Sequence, residues 1–302
     1  MEYPLMSAPL HINWNYTYKC NFNCAHCYSR TRSSDNELNY EQKKIVVNNI
    51  VKNRIFNVNL GGGEPLLAPD VFDIIQLLTQ NKVRVNLSTN GWDSSPETIQ
   101  KLLNSGISGV SISIDHIDPL IHDEFRTIPG SYYAAVKAIE NYVAAGIHTT
   151  ISTTITQKNY SVLNNILQLA LQYDCSGVDF KRLKTMGNAE TRFDLILTPE
   201  QEKELYSDIA VWKNEYPFAI NFVYGTVRIK GIDGGCPCGK TSICIMDNGD
   251  LAPCVYNTII VGNAVDDDIG QVWRDSKVLN YLRKNFSCMG LVKELDYEKI
   301  RG

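Results

Sequence analysis

Six short runs with strand character alternate with helical segments through the first 185 residues of this 302-residue chain. The strand candidates are "LHINWNYTY", "FNVNLGG", "VRVNLSTN", "GVSISID", "HTTISTTIT" and "GVDFKRLK". Between them, "LNYEQKKIVVNNIVKN" sets Ile45, Val46, Ile50 and Val51 at helical spacing. Asp70 after Pro69, and Ser95 before Pro96, mark the next two helix starts, and Gly106 and Gly146 mark helix stops. "SVLNNILQLALQ" precedes the sixth strand. Six βα units predict a parallel sheet, because each strand-to-strand crossover carries a helix.

The strands themselves narrow the architecture. A parallel strand covered on both faces is apolar throughout. Here His11, Asn13 and Asn15 alternate with Ile12, Trp14 and Tyr16. Asn86, Ser88 and Asn90 alternate with Val85, Leu87 and Thr89, and Ser111, Ser113 and Asp115 with Val110, Ile112 and Ile114. Helices then cover the apolar set, and the polar set faces something wet or occupied. A closed eight-stranded barrel fills its lumen with side chains. A partial (β/α)6 TIM-type barrel leaves a polar lumen free for a ligand, and that α/β fold is the expectation. A sheet with one solvated face is the alternative, which the number of helices disfavours.

Beyond about residue 186 the pattern changes. A helix opens at Thr198-Pro199. Short apolar runs then flank Asp247-Asn248-Gly249-Asp250, a hairpin signal, and "DDDIGQVWRDSKVLNYLRKNF" reads as a final helix. The expected division is 1–190 for the barrel, 191–230 for a linking helix and strand, and 231–302 for a small β-hairpin-plus-helix domain.

Net charge is −4, from 29 basic and 33 acidic residues, which argues against a phosphate-dominated nucleic-acid binder. No stretch approaches the length of a membrane span, and the N-terminus lacks a secretory pattern. A cytoplasmic location is the expectation, without nucleic-acid or membrane partners. Nine cysteines in such a chain read as metal ligands rather than disulfides. Cys20, Cys24 and Cys27 form one group, while Cys236, Cys238, Cys244, Cys254 and Cys288 form another. Cys175 stands alone and reads as a small buried residue.

"CNFNCAHCY" carries three thiols in eight residues, with His26 among them. Zinc takes such ligands, although structural zinc sites close with paired ligands distant in sequence. In a [4Fe–4S] cluster, three cysteines bind three irons and leave the fourth open to an outside ligand.

The C-x₃-C-x₂-C spacing with Tyr28 after it, on the loop following a first strand, resembles the radical S-adenosylmethionine (SAM) superfamily. "GGGEP" ends the next strand, as the superfamily's Gly-Gly-Glu-Pro does. The resemblance implies that Gly62, Gly63, Glu64 and Pro65 meet the amino group of SAM, glycines allowing close approach and a carboxylate suiting an ammonium. "LSTNG" and "SISID" end the third and fourth strands as in the family, making Ser88, Asn90, Ser113 and Asp115 candidates around the ribose and methionine. Arg126 is the implied partner of the SAM carboxylate. "FKRLKTMGNA" resembles the sixth-strand motif, with Arg182 and Gly187. The resemblance further implies that SAM chelates the open iron. The reduced cluster then cleaves SAM to a 5′-deoxyadenosyl radical, which abstracts a substrate hydrogen.

The second cysteine group, with ten residues from Cys238 to Gly249 and four more to Cys254, resembles the SPASM and twitch domains, which carry auxiliary [4Fe–4S] clusters. One auxiliary cluster is implied, on Cys238, Cys244, Cys254 and Cys288. Cys236 either replaces Cys288, donates a hydrogen atom from the lumen as the candidate catalytic thiol, or is a bystander. Zinc is again the rival. Enzymes resembling this chain modify ribosomally made peptides by crosslinking, oxidation or epimerisation, or they act as dehydrogenases, epimerases or cyclases on small metabolites. Peptide modification is the favoured expectation. The first strand begins near residue 10, so the substrate would dock directly or through a separate recognition protein. A flavodoxin or ferredoxin is the expected electron donor.

Overall fold

A computed structural model describes residues 6–30, 32, 35–217, 220–223, 237–257 and 259–285. Six parallel strands follow the expected alternation: β1 (His11–Thr17), β2 (Asn57–Gly62), β3 (Arg84–Thr89), β4 (Gly109–Ser113), β5 (Thr149–Ile155) and β6 (Gly177–Arg182). The crossovers hold α1 (Tyr40–Lys52), α2 (Val71–Gln80), α3 (Pro96–Asn104), α4 (Pro119–Arg126), α5 (Ser131–Ala144) and α6 (Leu163–Gln172). Local chemistry sets the helix starts. Asn39 and Gln42 cap α1 reciprocally, and Ser95 Oγ accepts from Thr98 N at 3.3 Å to begin α3. Asp70, read as a helix start, makes no side-chain cap; its carboxylate turns to Lys43 Nζ at 3.1 Å and to the Tyr16 hydroxyl at 2.7 Å.

The strand alternation has the predicted consequence. Val58, Leu60, Val85, Leu87, Ile112, Ile151, Val178 and Phe180 are buried in one core with Ile50, Ile74, Leu78, Ile139 and Ile166 of the helices. Each such side chain contributes roughly 1.5–3 kcal/mol. The polar set faces the other side in continuous register. Asn13 pairs with Asn59, Asn59 with Asn86, Ser88 with Ser111, Ser113 with Ser152, and Thr154 with Lys181.

The sheet continues beyond six strands at both edges. After α7 (Pro199–Glu215), β7 (Ile220–Val223) joins β6 in parallel. At the other edge β8 (Ser242–Ile245) lies parallel to β1, with His11 opposite Ser242 and Trp14 opposite Ile245. The antiparallel β9 (Asp250–Ala252) and β10 (Gly262–Asn263) complete one ten-stranded sheet. The hairpin therefore shares hydrogen bonds with the barrel's first strand. It shares the core as well, since Ile243, Ile245 and Leu251 are buried in the same cluster as Ile12 and Trp14. The final helix is two pieces, α8 (Ile269–Asp275) and α9 (Lys277–Asn285). Ser276 separates them in an extended conformation and its Oγ accepts from Leu279 N at 3.2 Å, the competition by which serine favours helix starts. Cys236 and Cys288 lie outside the described residues. No helix among the described residues is long and apolar enough to cross a membrane.

Candidate active site

A cavity of about 540 Å³ opens at the carboxyl ends of the strands, where parallel α/β sheets place their sites. Cys20, Cys24 and Cys27 line it from the loop after β1. Three neighbouring segments fix that loop. Ala25 N donates to Phe125 O at 2.9 Å, at the end of α4. Ser29 Oγ donates to Gly62 O at 3.1 Å, after β2. Asn188, after β6, donates from its backbone to Cys27 O and from its side chain to Cys24 O, each at 2.9 Å. Gly187 makes this last approach possible: its φ is +58°, and a Cβ there would stand 2.4 Å from Cys27 O.

The "GGGEP" segment meets the cysteine loop by its backbone. Gly63 N donates to Thr17 O at 2.6 Å and Glu64 N to Lys19 O at 2.8 Å. A Cβ on Gly63 would lie 2.1 Å from Lys19 O, so these glycines allow close approach of protein to protein. The Glu64 carboxylate is engaged inside the fold. It accepts from Thr89 Oγ1 at 3.0 Å, Asn90 N at 2.8 Å and Leu66 N at 3.2 Å, and burial pushes its pKa up to about 7. Gly61, Gly62 and Gly63 line the cavity, while Glu64 and Pro65 are not among its lining residues. The carboxylate thus clasps the ends of β2 and β3, and the segment presents its backbone to the cavity.

The other expected binding residues divide in the same way. Ser88, Asn90, Ser113, Arg126, Arg182 and Tyr28 line the cavity, and Asp115 lies behind the wall. Asn90 Nδ2 donates to Asn21 Oδ1 at 2.8 Å, tying the β3 end to the cysteine loop. The Tyr28 hydroxyl donates to Asn15 Oδ1 at 2.8 Å. Buried Asp115 pairs with Arg126 at 2.6 Å, and that guanidinium also reaches Cys24 Sγ at 3.8 Å. Arg182 pairs with Glu202 of α7 at 2.6 Å. Arg126, expected to meet the SAM carboxylate, and Arg182 of the sixth-strand motif each already carry a carboxylate partner.

The two cysteine groups meet across this one cavity. Cys238 and Cys254 line it with Cys20, Cys24 and Cys27. Cys244 is buried behind them on β8, its register partner on β1 being Asn13. Tyr28 and Tyr256 pack edge to face between the groups, 5.0 Å apart. Arg32 fastens hairpin to loop, donating to Val255 O at 3.2 Å and to the Tyr18 hydroxyl at 3.1 Å. Cys175 lies apart, half-buried against the core.

The thiols fit an iron–sulfur cluster. Burial raises the pKa of Cys20 and pushes Cys24 up to about 11, so neither is a thiolate by itself at neutral pH; coordination supplies the charge that ionises them. Arg126 beside Cys24 favours its ionised form. Among the described residues no three His, Cys, Asp or Glu side chains converge on one point. A cluster does not require this, because each cysteine binds a different iron. His26, weighed as a zinc ligand, stacks on Phe125 at 4.8 Å, and burial lowers it to about 4.

A sequence model of the radical SAM superfamily matches residues 14–170, and one of the SPASM iron–sulfur cluster-binding domain matches 236–293. The chain belongs to the radical SAM superfamily. As a radical SAM enzyme it uses a [4Fe–4S] cluster that binds S-adenosylmethionine, and its SPASM segment implies auxiliary iron–sulfur binding. It is 31% identical over 310 residues to mycofactocin maturase MftC of Mycobacterium tuberculosis, spanning 98% of this chain and 78% of that protein. An AdoMet-dependent heme synthase of Methanosarcina barkeri is 27% identical over 318 residues, spanning 98% and 91%. The fold is that of Streptococcus suis SuiB bound to S-adenosylmethionine, with TM-score 0.78 at 18% identity, over 92% of this chain and 68% of SuiB.

Sequence reasoning passed over Lys181, Lys184, Asn59 and Tyr256, all of which line the cavity. For Lys181 the signal was present. In "GVDFKR" the buried side chains are those of Val178 and Phe180, which face the helices, so the alternation turns Lys181 to the lumen.

Proposed function

We propose that this radical SAM enzyme modifies a ribosomally made peptide, by crosslinking, oxidation or epimerisation begun by hydrogen-atom abstraction. The observation that carries the reading is the 31% identity to mycofactocin maturase MftC over nearly the whole chain. The cavity is compatible with it, being open at the strand ends. Cys20, Cys24 and Cys27 would hold the SAM-binding cluster, and Cys238, Cys244 and Cys254 the auxiliary one, with Cys236 or Cys288 completing it. When bound and reduced, the first cluster supplies the electron that cleaves S-adenosylmethionine to a hydrogen-abstracting 5′-deoxyadenosyl radical.

The chain's own residues bind, orient and exclude water. The backbone of Gly62 and Gly63, rather than the Glu64 carboxylate, faces the amino group of SAM. Ser88, Asn90 and Ser113 offer hydroxyl and amide groups to its ribose and methionine. Asp115 holds Arg126 against the cysteine loop. Tyr28 and Tyr256, packed edge to face, close the wall between the cysteine groups. The domain division at 190 and 230, a flavodoxin or ferredoxin donor, and a cytoplasmic location belong to the same proposal.

The heme synthase relatives favour a second reading, in which the substrate is a small metabolite. Anaerobic reconstitution with dithionite and SAM tests the enzyme class, since 5′-deoxyadenosine must form. A mass change on a peptide encoded beside the gene supports the first reading; consumption of a metabolite without any peptide product overturns it.

A further inference from the structure

The charges of the cavity are one-sided. Its described lining residues include Arg126, Lys181, Arg182 and Lys184 and no Asp or Glu. Arg126 is neutralised by Asp115 and Arg182 by Glu202, each at 2.6 Å. Lys181 differs. It projects from β6 on the lumen side, opposite Thr154, and forms no ion pair among the described residues. Asp179 shares that face one pleat deeper, but it is not part of the cavity wall. The surrounding wall offers hydroxyls and amides, namely Asn59, Ser88, Ser113, Ser152 and Thr154. These hydrogen-bond an ammonium or a carboxylate, but they do not balance a charge. A cation held in a half-enclosed wall with no counter-charge among the described residues is a standing attraction for an anion.

We infer that Lys181 is a specificity-determining residue that docks a substrate carboxylate, either the carboxyl terminus of the peptide or an acidic side chain. The inference rests on the peptide reading only for the source of that carboxylate. Lys181 would hold it at the β6 wall of the cavity that Cys238 and Cys254 also line.

The test uses the full chain, anaerobically reconstituted, as wild type, Lys181→Met and Lys181→Arg. The probes are random octapeptides without Asp or Glu ending in a free carboxylate, the same peptides as carboxamides, carboxamides containing one Asp or Glu, and 4-biphenylcarboxylate as a non-peptide. Retention is read by affinity-selection mass spectrometry, and SAM affinity by equilibrium dialysis. Wild type should retain one class of carboxylate-bearing peptide roughly tenfold or more over neutral carboxamides, the factor expected for one charge-assisted hydrogen bond. Lys181→Met should abolish the preference and Lys181→Arg restore it, with SAM affinity unchanged in both. The preferred class identifies the source. Retention indifferent to carboxylates, or to Lys181→Met, overturns the inference. So does a parallel loss of SAM affinity, which would assign Lys181 to the cofactor. Lys181-dependent binding of 4-biphenylcarboxylate alone keeps the carboxylate site and overturns the peptide reading.

Discussion

Glu64 is 4% exposed, and its two oxygens accept from two backbone amides and one hydroxyl. Desolvation outweighs those bonds and lifts its pKa from the ordinary 4.5 to about 7. Ionisation is therefore harder in the fold than in the unfolded chain. The group's contribution to stability is full below 4.5 and is lost as pH rises through about 7. The loss is on the order of 3 kcal/mol. In cluster-free protein, the melting curves of wild type and Glu64→Gln should converge or cross over this window, wild type losing ground as pH rises. Parallel curves would show that Glu64 is not buried as a strained acid. Arg126 behaves oppositely, because its charge is what keeps Asp115 ionised and its pKa low, against burial. Arg126→Met strands a buried carboxylate and should cost about 3–5 kcal/mol in chemical denaturation. A loss under 1 kcal/mol would mean the pair is not formed in solution.

Elements show what periodicity reveals and what it hides. The polar and apolar faces of β1, β3 and β4 were legible because strand alternation depends only on neighbours along the chain. The helix starts at Ser95 and Thr198 were legible for the same reason. The addition of β7 and β8 to the sheet edges was not, because strand partners are set by packing far away in sequence. Nor could the sequence show that Glu64, Arg126 and Arg182 already had partners, since those partners come from other elements. Gly187 marks the limit of motif reading: it was picked out beside the sixth strand, but its reason is contact with the cysteine loop. Gly187→Ala should push that loop away from its place, through a positive φ costing about 1–2 kcal/mol and a Cβ against Cys27 O. Iron bound per chain after anaerobic reconstitution should fall while the melting temperature of the cluster-free protein drops by only a few degrees. Full iron loading would show that the loop tolerates the methyl group.

At the scale of the molecule, one continuous sheet brings two distant cysteine groups to a single chamber. β1 leads directly into Cys20, and β8, hydrogen-bonded to β1, carries Cys244, with Cys238 in the segment just before it and Cys254 just after β9, both reaching the cavity. Arg32 ties the two together, yet each group also has anchors of its own, the first Phe125, Gly62 and Asn188, the second the hairpin and Arg283, whose Nε donates to Gly239 O at 2.6 Å. Separate anchoring in a shared chamber implies divided labour. Replacing Cys238 and Cys254 by alanine should lower iron content yet leave SAM cleavage to 5′-deoxyadenosine in place, because the backbone and thiols proposed to meet SAM are also held by other segments. Product formation should be lost if, as proposed, the auxiliary cluster serves the substrate step. Replacing Cys20, Cys24 and Cys27 should abolish both. If the first pair of substitutions also stopped 5′-deoxyadenosine formation in a protein that still bound the first cluster, the two anchors would have to act as one, and the hairpin would be part of the SAM site itself.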